Sequence, residues 1–319
     1  MNHTIETRAL GRTNIRVSRL CFGTLTIGPL QANLSVDEGA SLIRSALQRG
    51  VNFIDTAELY GTYPYVREAI SGICRSDVVI ASRSYSYTYE DMQKSVNEAL
   101  RAMNTDYLDL FMLHEQESAL TLKGHKEAVR YLEDARKSGI IRAIGVSTHH
   151  VQCVKDAALI DEIDVIHPLL NHSGIGIADG TPEDMLKAIE FAYKQGKGIY
   201  AMKAIGGGAL LKDVERALRF VIDQPFIHSV AVGIKTLDEL EMDIAIFQGR
   251  EFDESLRERT RHNKNLIIEP WCRGCGKCVE RCSHGALRLV NGRSEVDNEK
   301  CVLCGYCQAV CPEVCMKVV

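Results

Sequence analysis

Short apolar runs alternate with longer amphipathic segments over residues 19–250. Apolar runs of this length, bounded by polar turns, are typical of strands buried on both faces of a parallel sheet. The pattern predicts eight such strands, at residues 19–23, 51–55, 78–81, 108–114, 143–147, 165–168, 198–202 and 229–233.

The segments between these runs have the spacing of amphipathic helices, most clearly at residues 35–49, 90–103 and 182–195. Ser35 and Glu38 form a capping-box signature at the start of the first helix, and Gly50 fits its C-terminal end. A short hairpin is predicted at residues 8–15, before the first strand. Eight strands alternating with helices predict an α/β fold, the (β/α)8 TIM barrel.

The chain has 319 residues, of which 45% are apolar and 25% charged, with a net charge of −4. This length accommodates one large domain and a small one. We predict a barrel over residues 1–263, whose last helix spans 252–263, then a linker over 264–270 and a second domain over 271–319. There is no apolar run of about 18 residues, so no membrane span is expected. The near-neutral charge gives no reason to expect nucleic-acid binding.

Eight cysteines in the second domain form two runs with the spacing C-x2-C-x2-C-x3-C. Each cysteine of the first run lies 29 residues before its counterpart in the second. This is the bacterial ferredoxin pattern, in which the fourth cysteine of each run ligates the cluster of the other run. It predicts a small α+β ferredoxin-like domain with two [4Fe–4S] clusters. One ligand set is Cys272, Cys275, Cys278 and Cys311, and the other is Cys301, Cys304, Cys307 and Cys282.

Two other uses of these cysteines fit less well. Zinc sites typically use separated CxxC pairs rather than triplets. A disulfide framework needs an oxidising compartment, and the N-terminal residues lack the apolar segment of an export signal. Reduced thiols and oxygen-sensitive clusters predict a cytoplasmic protein.

Polar or titratable residues fall near the carboxyl ends of most predicted strands. In (β/α)8 barrels the active site lies at this end, so we expect the catalytic site there. The residues are Asp55, Ser82, Arg83, His114, Ser147, Asn171 and Lys203.

Four stretches resemble the aldo/keto reductases: VNFIDTAELYG (51–61), NTDYLDLFMLH (104–114), IRAIGVS (141–147) and VGIKTLDELEMD (232–243). The resemblance spans roughly residues 5–250, and the chain is similar in particular to the members that carry a ferredoxin-like tail. It implies an oxidoreductase that reduces a small-molecule carbonyl with NADP(H).

By this resemblance, Asp55, Tyr60 and His114 correspond to three of the four catalytic residues of the family. Tyr60 would donate a proton to the carbonyl oxygen once a nearby cation lowers its pKa from about 10. His114 would polarise the carbonyl, and Asp55 would orient the cation.

The fourth catalytic position departs from the family, which places a lysine where this chain has Arg83. Arginine keeps its proton at ordinary pH and is not equivalent to lysine. Arg83 either replaces the lysine less effectively, or clamps an anionic group of the substrate, or marks a site with different chemistry.

The resemblance also implies residues that hold the dinucleotide. Ser147 and Asn171 match the nicotinamide-binding positions, and Lys235 would bind the 2′-phosphate, which favours NADP over NAD. The alternative for Lys235 is a solvated surface lysine. The other residues are Lys203, facing cofactor phosphates or substrate; Gly206 and Gly207, at the pyrophosphate; and Thr236, Glu239 and Asp243, at the adenosine end.

Nicotinamides transfer hydrides, whereas clusters transfer single electrons, which leaves three interpretations. The chain is an NADP(H)-dependent carbonyl reductase with a docking or sensing tail, or it passes electrons from an external ferredoxin to a flavin or substrate in the barrel. The third interpretation is a non-catalytic electron carrier. We expect the tail to cover the catalytic rim, because the last barrel helix leads back towards it.

Overall fold

The computed structural model of the chain describes residues 5–261, 264–301 and 303–318. The strands are β1 (Thr7–Ala9), β2 (Arg16–Ser18), β3 (Leu20–Gly23), β4 (Phe53–Asp55), β5 (Val79–Ser84), β6 (Leu108–Leu113), β7 (Ile141–Thr148), β8 (Val165–Pro168), β9 (Gly198–Ala201), β10 (Ser229–Gly233), β11 (Leu266–Ile268), β12 (Leu287–Val290), β13 (Arg293–Val296) and β14 (Met316–Val318). The helices are α1 (Val36–Gln48), α2 (Tyr63–Ile70), α3 (Tyr89–Met103), α4 (Ala119–Gly124), α5 (Lys126–Lys137), α6 (Val151–Ala158), α7 (Pro182–Lys194), α8 (Val214–Ile222), α9 (Leu237–Gln248), α10 (Glu254–Arg261), α11 (Lys277–Arg281) and α12 (Tyr306–Ala309).

Strands β3 to β10 form a closed parallel barrel in chain order, with β10 pairing back to β3. The predicted (β/α)8 barrel is therefore confirmed. The main difference in bounds is at β5, which runs to Ser84 and so contains Arg83. Sequence patterning ended this strand at residue 81 because polar residues follow. These residues stay in the strand because they continue the ladder with β6, where Arg83 pairs with Met112, and are buried with polar partners.

The predicted hairpin before the first barrel strand is present as β1–β2, although it spans residues 7–18 rather than 8–15, and it closes the amino-terminal end of the barrel. Leu10 and Ile15 from its turn are buried against Phe53 and Tyr200 in the barrel interior. Gly11 has φ +60°, and a Cβ there would lie 2.2 Å from the backbone nitrogen of Gly198. Only glycine permits this close approach.

The outer helices begin where the sequence signals predict. Ser35 and Glu38 form the expected capping box at α1, in which each backbone N–H donates to the other side chain. Gly50 follows this helix with φ +91°. Helix α10 is shorter than predicted, and the predicted end at Asn263 lies outside the described residues.

We call residues 264–318 the tail. Its strand β11 pairs antiparallel with β14, and β12 pairs with β13. The segment predicted as a linker therefore contains a strand, because its apolar residues 266–268 pair with the end of the tail. Within the part of the chain that the structure describes, no helix is long and apolar enough to cross a membrane.

Leu10 and Ile15 fill the amino-terminal end of the barrel interior, and we call these two side chains the hairpin plug. A substitution that leaves a cavity there tests its role in stability. Leu10→Ala should lower the free energy of unfolding by about 2–5 kcal/mol, because Leu10 is fully buried and its neighbours are held by the barrel. Urea unfolding followed by far-UV circular dichroism measures this change. Leu120→Ala is the matched control, since Leu120 is 78% exposed. Equal midpoints for the two variants would contradict a structural role for the plug.

Candidate active site

The predicted catalytic residues come together at the carboxyl end of the barrel. Asp55 ends β4, Arg83 lies near the end of β5, and His114 directly follows β6. Tyr60 lies on a 3-10 turn, Glu58–Tyr60, that follows β4. Carboxyl ends of neighbouring parallel strands share one rim, which explains why residues far apart in sequence meet there.

Arg83 forms hydrogen bonds with both Asp55 and Tyr60. Its Nη1 and Nη2 donate to Asp55 Oδ1 and Oδ2 at 2.7 and 2.8 Å, and Nη2 also donates to the Tyr60 hydroxyl at 2.7 Å. Both charged side chains are almost fully buried, at 3% and 4% exposure. The predicted pairing of Arg83 with Asp55 is present, and it places the guanidinium beside the tyrosine.

The sequence pattern did not indicate Tyr200, which is the second hydrogen-bond partner of the Asp55 side chain after Arg83. Its hydroxyl donates to Asp55 Oδ1 at 2.9 Å, and its ring stacks on His167 with centroids 3.8 Å apart. A tyrosine in an otherwise apolar strand was the available signal, because a buried hydroxyl needs a partner.

The neighbouring charges do not lower the pKa of Tyr60 as expected. Burial is the largest influence on Asp55 and opposes its carboxylate, but the charges of Arg83 and His167 and the hydrogen bonds from Arg83 and Tyr200 together outweigh burial and lower the pKa of Asp55. For Tyr60, burial is the largest cause and raises the pKa, despite the opposing effect of Arg83. The expectation of a lowered Tyr60 pKa is wrong for this structure, since burial and the charge of Asp55 together outweigh the effect of Arg83. Tyr60 is therefore a neutral phenol that retains its proton.

His114 is a neutral imidazole. Burial, followed by the charge of Arg83, lowers its pKa well below the ordinary value. The ring of Tyr85 stacks on it at 4.3 Å, and Tyr60 approaches at 6.1 Å in an edge-on arrangement. Among the described residues, nothing bonds to the buried Nδ1 atom of His114. A neutral imidazole fixed in this way can donate a hydrogen bond to a carbonyl oxygen.

A cavity of about 1050 Å³ separates the barrel rim from the tail. Tyr60, Arg83 and His114 line it on the barrel side, and Cys304 and Cys311 line it on the tail side. The tail thus covers the catalytic rim, as expected from the direction of the chain. We call this space the rim cavity.

The two predicted nicotinamide-binding side chains are engaged with their own loops. Ser147 Oγ accepts the Glu115 backbone N–H at 2.9 Å. The Asn171 amide donates to the carbonyl oxygens of Ile175 and Lys203, and its oxygen accepts the N–H groups of Ser173 and Ile175. Asn171 is fully buried and shapes the loop after β8.

The predicted adenosine-binding residues cluster at the start of α9. Thr236 caps the helix through the Glu239 N–H, and Glu239 Oε2 accepts the Lys235 backbone N–H at 2.7 Å. Lys264 of the tail contacts the other oxygen of Glu239. Burial, followed by the charge of Glu239, raises the pKa of Asp243 well above its ordinary value.

Lys203 lies at the edge of the rim cavity, with its Nζ 2.9 Å from His149 Nε2. Its backbone has φ +57°, which is uncommon for a residue other than glycine. Burial, followed by the charge of Lys317, lowers the pKa of Lys203 to about 7. Lys203 of the barrel and Lys317 of the tail therefore both line the rim cavity.

Members of each predicted ligand set lie near one another. Burial is the largest cause that raises the pKa of Cys278, and Cys311 and Cys272 are close enough to raise it further. Cys304 and Cys282 act in the same way on Cys301 after burial. These groupings fit the two predicted [4Fe–4S] ligand sets, although Cys307 lies near Cys278 of the other set as well as near Cys301 and Cys304. In the described ranges 5–261, 264–301 and 303–318, no group of three or more His, Cys, Asp or Glu side chains has the arrangement of a single-metal site.

These features define an oxidoreductase built on a (β/α)8 barrel with an iron–sulfur tail. The sequence profile of the aldo/keto reductase family matches residues 19–221, and that of the 4Fe-4S dicluster domain matches residues 264–312. The chain belongs to the aldo/keto reductase family, since the first match covers more than half of it. This match ends before β10 and α9, where the predicted adenosine-binding residues lie.

Several characterised proteins are similar to this chain. L-galactose dehydrogenase of Arabidopsis thaliana is 24% identical over 310 residues, which span 83% of this chain and 95% of that protein. Aldo-keto reductase YhdN of Bacillus subtilis is 29% identical over 183 residues, but these span only 52% of this chain and 54% of that protein. The structure of aldo-keto reductase AKR11C1 from Bacillus halodurans shares the fold, with a TM-score of 0.65, 20% identity and coverage of 80% of this chain and 94% of that chain.

The lowered pKa of Lys203 predicts a pH-dependent stability. In the unfolded chain this lysine titrates near about 10.4, so above pH 7 the unfolded state binds more protons than the folded state. Its burial cost is therefore complete below about pH 7 and falls as pH rises. Lys203→Met should raise the thermal midpoint more at pH 6 than at pH 9. Lys194→Met, on an exposed helix face, is the control, and equal gains for Lys203→Met at both pH values would contradict the shift.

The ligand sets predict the effect of removing one cysteine. Cys278→Ala should lower the iron content of anaerobically purified protein from about eight to about four atoms per chain, because one cluster loses a ligand. Iron analysis of the folded protein measures this. Cys74→Ala is the control, since Cys74 is exposed and lies outside both runs. Unchanged iron in the Cys278 variant would remove it from the ligand set.

Proposed function

We propose that this chain reduces the carbonyl group of a small molecule in the rim cavity, with Tyr60 as the proton donor. The observation that carries the proposal is the position of Tyr60, which is bonded to Arg83 and lines the cavity together with neutral His114. The ligand assignments of the eight cysteines and of the dinucleotide-binding residues are part of the same proposal.

The chemistry follows from the charge that develops on the substrate. When the carbonyl carbon gains a hydride, or two electrons and a proton in its place, a C–H bond forms, the bond to oxygen becomes single and the oxygen becomes negative. His114 stabilises this oxygen with a hydrogen bond. The Tyr60 O–H bond then breaks, and its proton moves to the oxygen, which leaves an alcohol product and a phenolate.

Arg83 stabilises the phenolate but does not supply a proton. Burial is the largest influence and opposes its charge, but Asp55 together with Tyr60 and Tyr200 outweighs burial and keeps the pKa of Arg83 well above its ordinary value. Tyr60 must therefore regain its proton from solvent through the cavity. Both terminal nitrogens of Arg83 are already engaged with Asp55. This favours replacement of the lysine charge over a substrate-clamping role for Arg83.

Two electron donors are candidates. NADP(H), which is typical of the family, supplies a hydride when it is bound. The second candidate is an external ferredoxin acting through the tail, and it is favoured by Cys304 and Cys311, which line the same cavity as Tyr60. A flavin in this cavity would connect single-electron and two-electron chemistry.

An anaerobic absorbance titration distinguishes the two donors. Bleaching of the cluster absorbance by dithionite or ferredoxin, but not by NADPH, supports entry through the tail. NADPH oxidation that depends on a carbonyl substrate supports direct hydride transfer. Aldoses belong in the substrate panel because one relative is named L-galactose dehydrogenase.

The proton-donor role predicts the effect of one substitution. Tyr60→Phe should reduce kcat by at least about 100-fold, because the phenol proton is lost while the ring remains. Iron content should not change, since Tyr60 is not one of the predicted cluster ligands. Tyr193→Phe, at a partly exposed position on α7, should retain full activity. Activity of Tyr60→Phe within about tenfold of wild type would disprove the assignment.

A further inference from the structure

The end of the tail packs on the glycine loop that follows β9. Gly208 has φ +96°, and a Cβ there would lie 2.6 Å from Val318 Cβ and 2.8 Å from its carbonyl oxygen. Gln308 Nε2 donates to the Gly207 carbonyl oxygen at 2.8 Å and to the Met316 carbonyl oxygen at 3.2 Å. The loop glycines therefore make room for strand β14, which Gln308 joins to the barrel.

The same loop is where a pyrophosphate is expected, but two of its N–H donors are engaged. The Gly206 N–H donates to the Lys203 carbonyl oxygen at 2.8 Å, and the Gly208 N–H donates to the Ile205 carbonyl oxygen at 3.0 Å. A phosphate cradle needs backbone N–H groups that point outwards. Apart from the rim cavity, the space between Asp55, Tyr60 and β14 is a cavity of about 140 Å³, and Lys317 and Val318 line it.

The tail also closes the adenosine end of this route. Lys264 is paired with Glu239, and Leu303 and Val318 line the cavity beside Asp243. This cavity is about 280 Å³, below the range of about 300–1,000 Å³ that is usual for small-molecule sites. The nicotinamide end is restricted as well, since the Asn171 amide is fully used in its own loop.

These residues do not fit a dinucleotide while the tail is docked. We propose that tail docking and dinucleotide binding exclude each other, with strand β14 and Lys264 occupying the route that pyrophosphate and adenosine would take. The tail is then a gate on the dinucleotide groove as well as a roof on the rim cavity. This inference goes beyond the proposed carbonyl chemistry and does not depend on turnover.

Calorimetric titration of NADPH into the anaerobic, iron-loaded full chain tests the exclusion. If only molecules with an undocked tail bind NADPH, the apparent affinity equals the intrinsic affinity multiplied by the fraction of such molecules. Gln308→Ala removes the hydrogen bond to the Gly207 carbonyl oxygen that ties the tail to the glycine loop, together with the bond to Met316 within the tail, and should tighten NADPH binding by about tenfold. Lys264→Ala, outside the cysteine runs, should tighten it as well. If the Gln308 variant contains less iron than wild type, the Lys264 variant provides an independent measurement of the same effect.

Arg288→Ala is the matched control, because Arg288 is an exposed tail residue that pairs only with Glu295 across the β12–β13 hairpin in the described contacts. It should bind NADPH as wild type does. By reciprocity, NADPH should also speed proteolysis of wild type near residue 264, since binding would hold the tail open.

Each outcome decides the proposal. Tighter binding by Gln308→Ala and Lys264→Ala, but not by Arg288→Ala, supports exclusion even if wild type binds no NADPH. Equal affinity for wild type and all variants would overturn it, because the docked tail would then be no obstacle. Absence of binding in every variant would also overturn it, since the groove would not be a dinucleotide site in either state. None of these results bears on Tyr60, which is tested by kcat.

Discussion

The buried carboxylate of Asp55 is the constraint around which the catalytic rim is built. A carboxylate with 3% exposure is stable in its charged form only when cations and hydroxyl groups satisfy it. Arg83 binds both of its oxygens, and Tyr200 supplies a further hydrogen bond. The second N–H of Nη2 then points to Tyr60. The position of the proposed proton donor thus follows from the need to neutralise Asp55.

The same neutralisation explains why an arginine can replace the lysine of the family at this point. Its planar fork matches a carboxylate with two parallel hydrogen bonds, which a lysine cannot form. The result is a tighter and more permanently charged pair. It leaves Tyr60 with a raised pKa, beside a cation that keeps its own proton. In the proposed reaction, electrostatic support is kept, whereas the proton of Tyr60 would be restored by solvent in the rim cavity.

The tail makes contact with the barrel on two sides of this rim. One side roofs the rim cavity, where Cys304 and Cys311 face the catalytic residues. The other side lies on the glycine loop, inside the family match, and on Glu239, which follows the end of that match at residue 221. Family membership therefore describes the scaffold, while the proposed gating depends on how this chain's own tail meets it.

Local patterns in the sequence determined much of the architecture. Apolar runs identified all eight barrel strands, and the cysteine spacing identified the iron–sulfur tail, because both signals repeat over short distances. The end of β5 and the strand at 266–268 were not predictable, since each depends on a partner strand far along the chain. Asp55, Tyr60, Arg83 and His114 were found from motifs at strand ends, but Tyr200 was hidden in a buried run. Only the tertiary structure decided the direction of the Tyr60 pKa and the position of Val318 on Gly208, because burial and docking arise from contacts between distant segments.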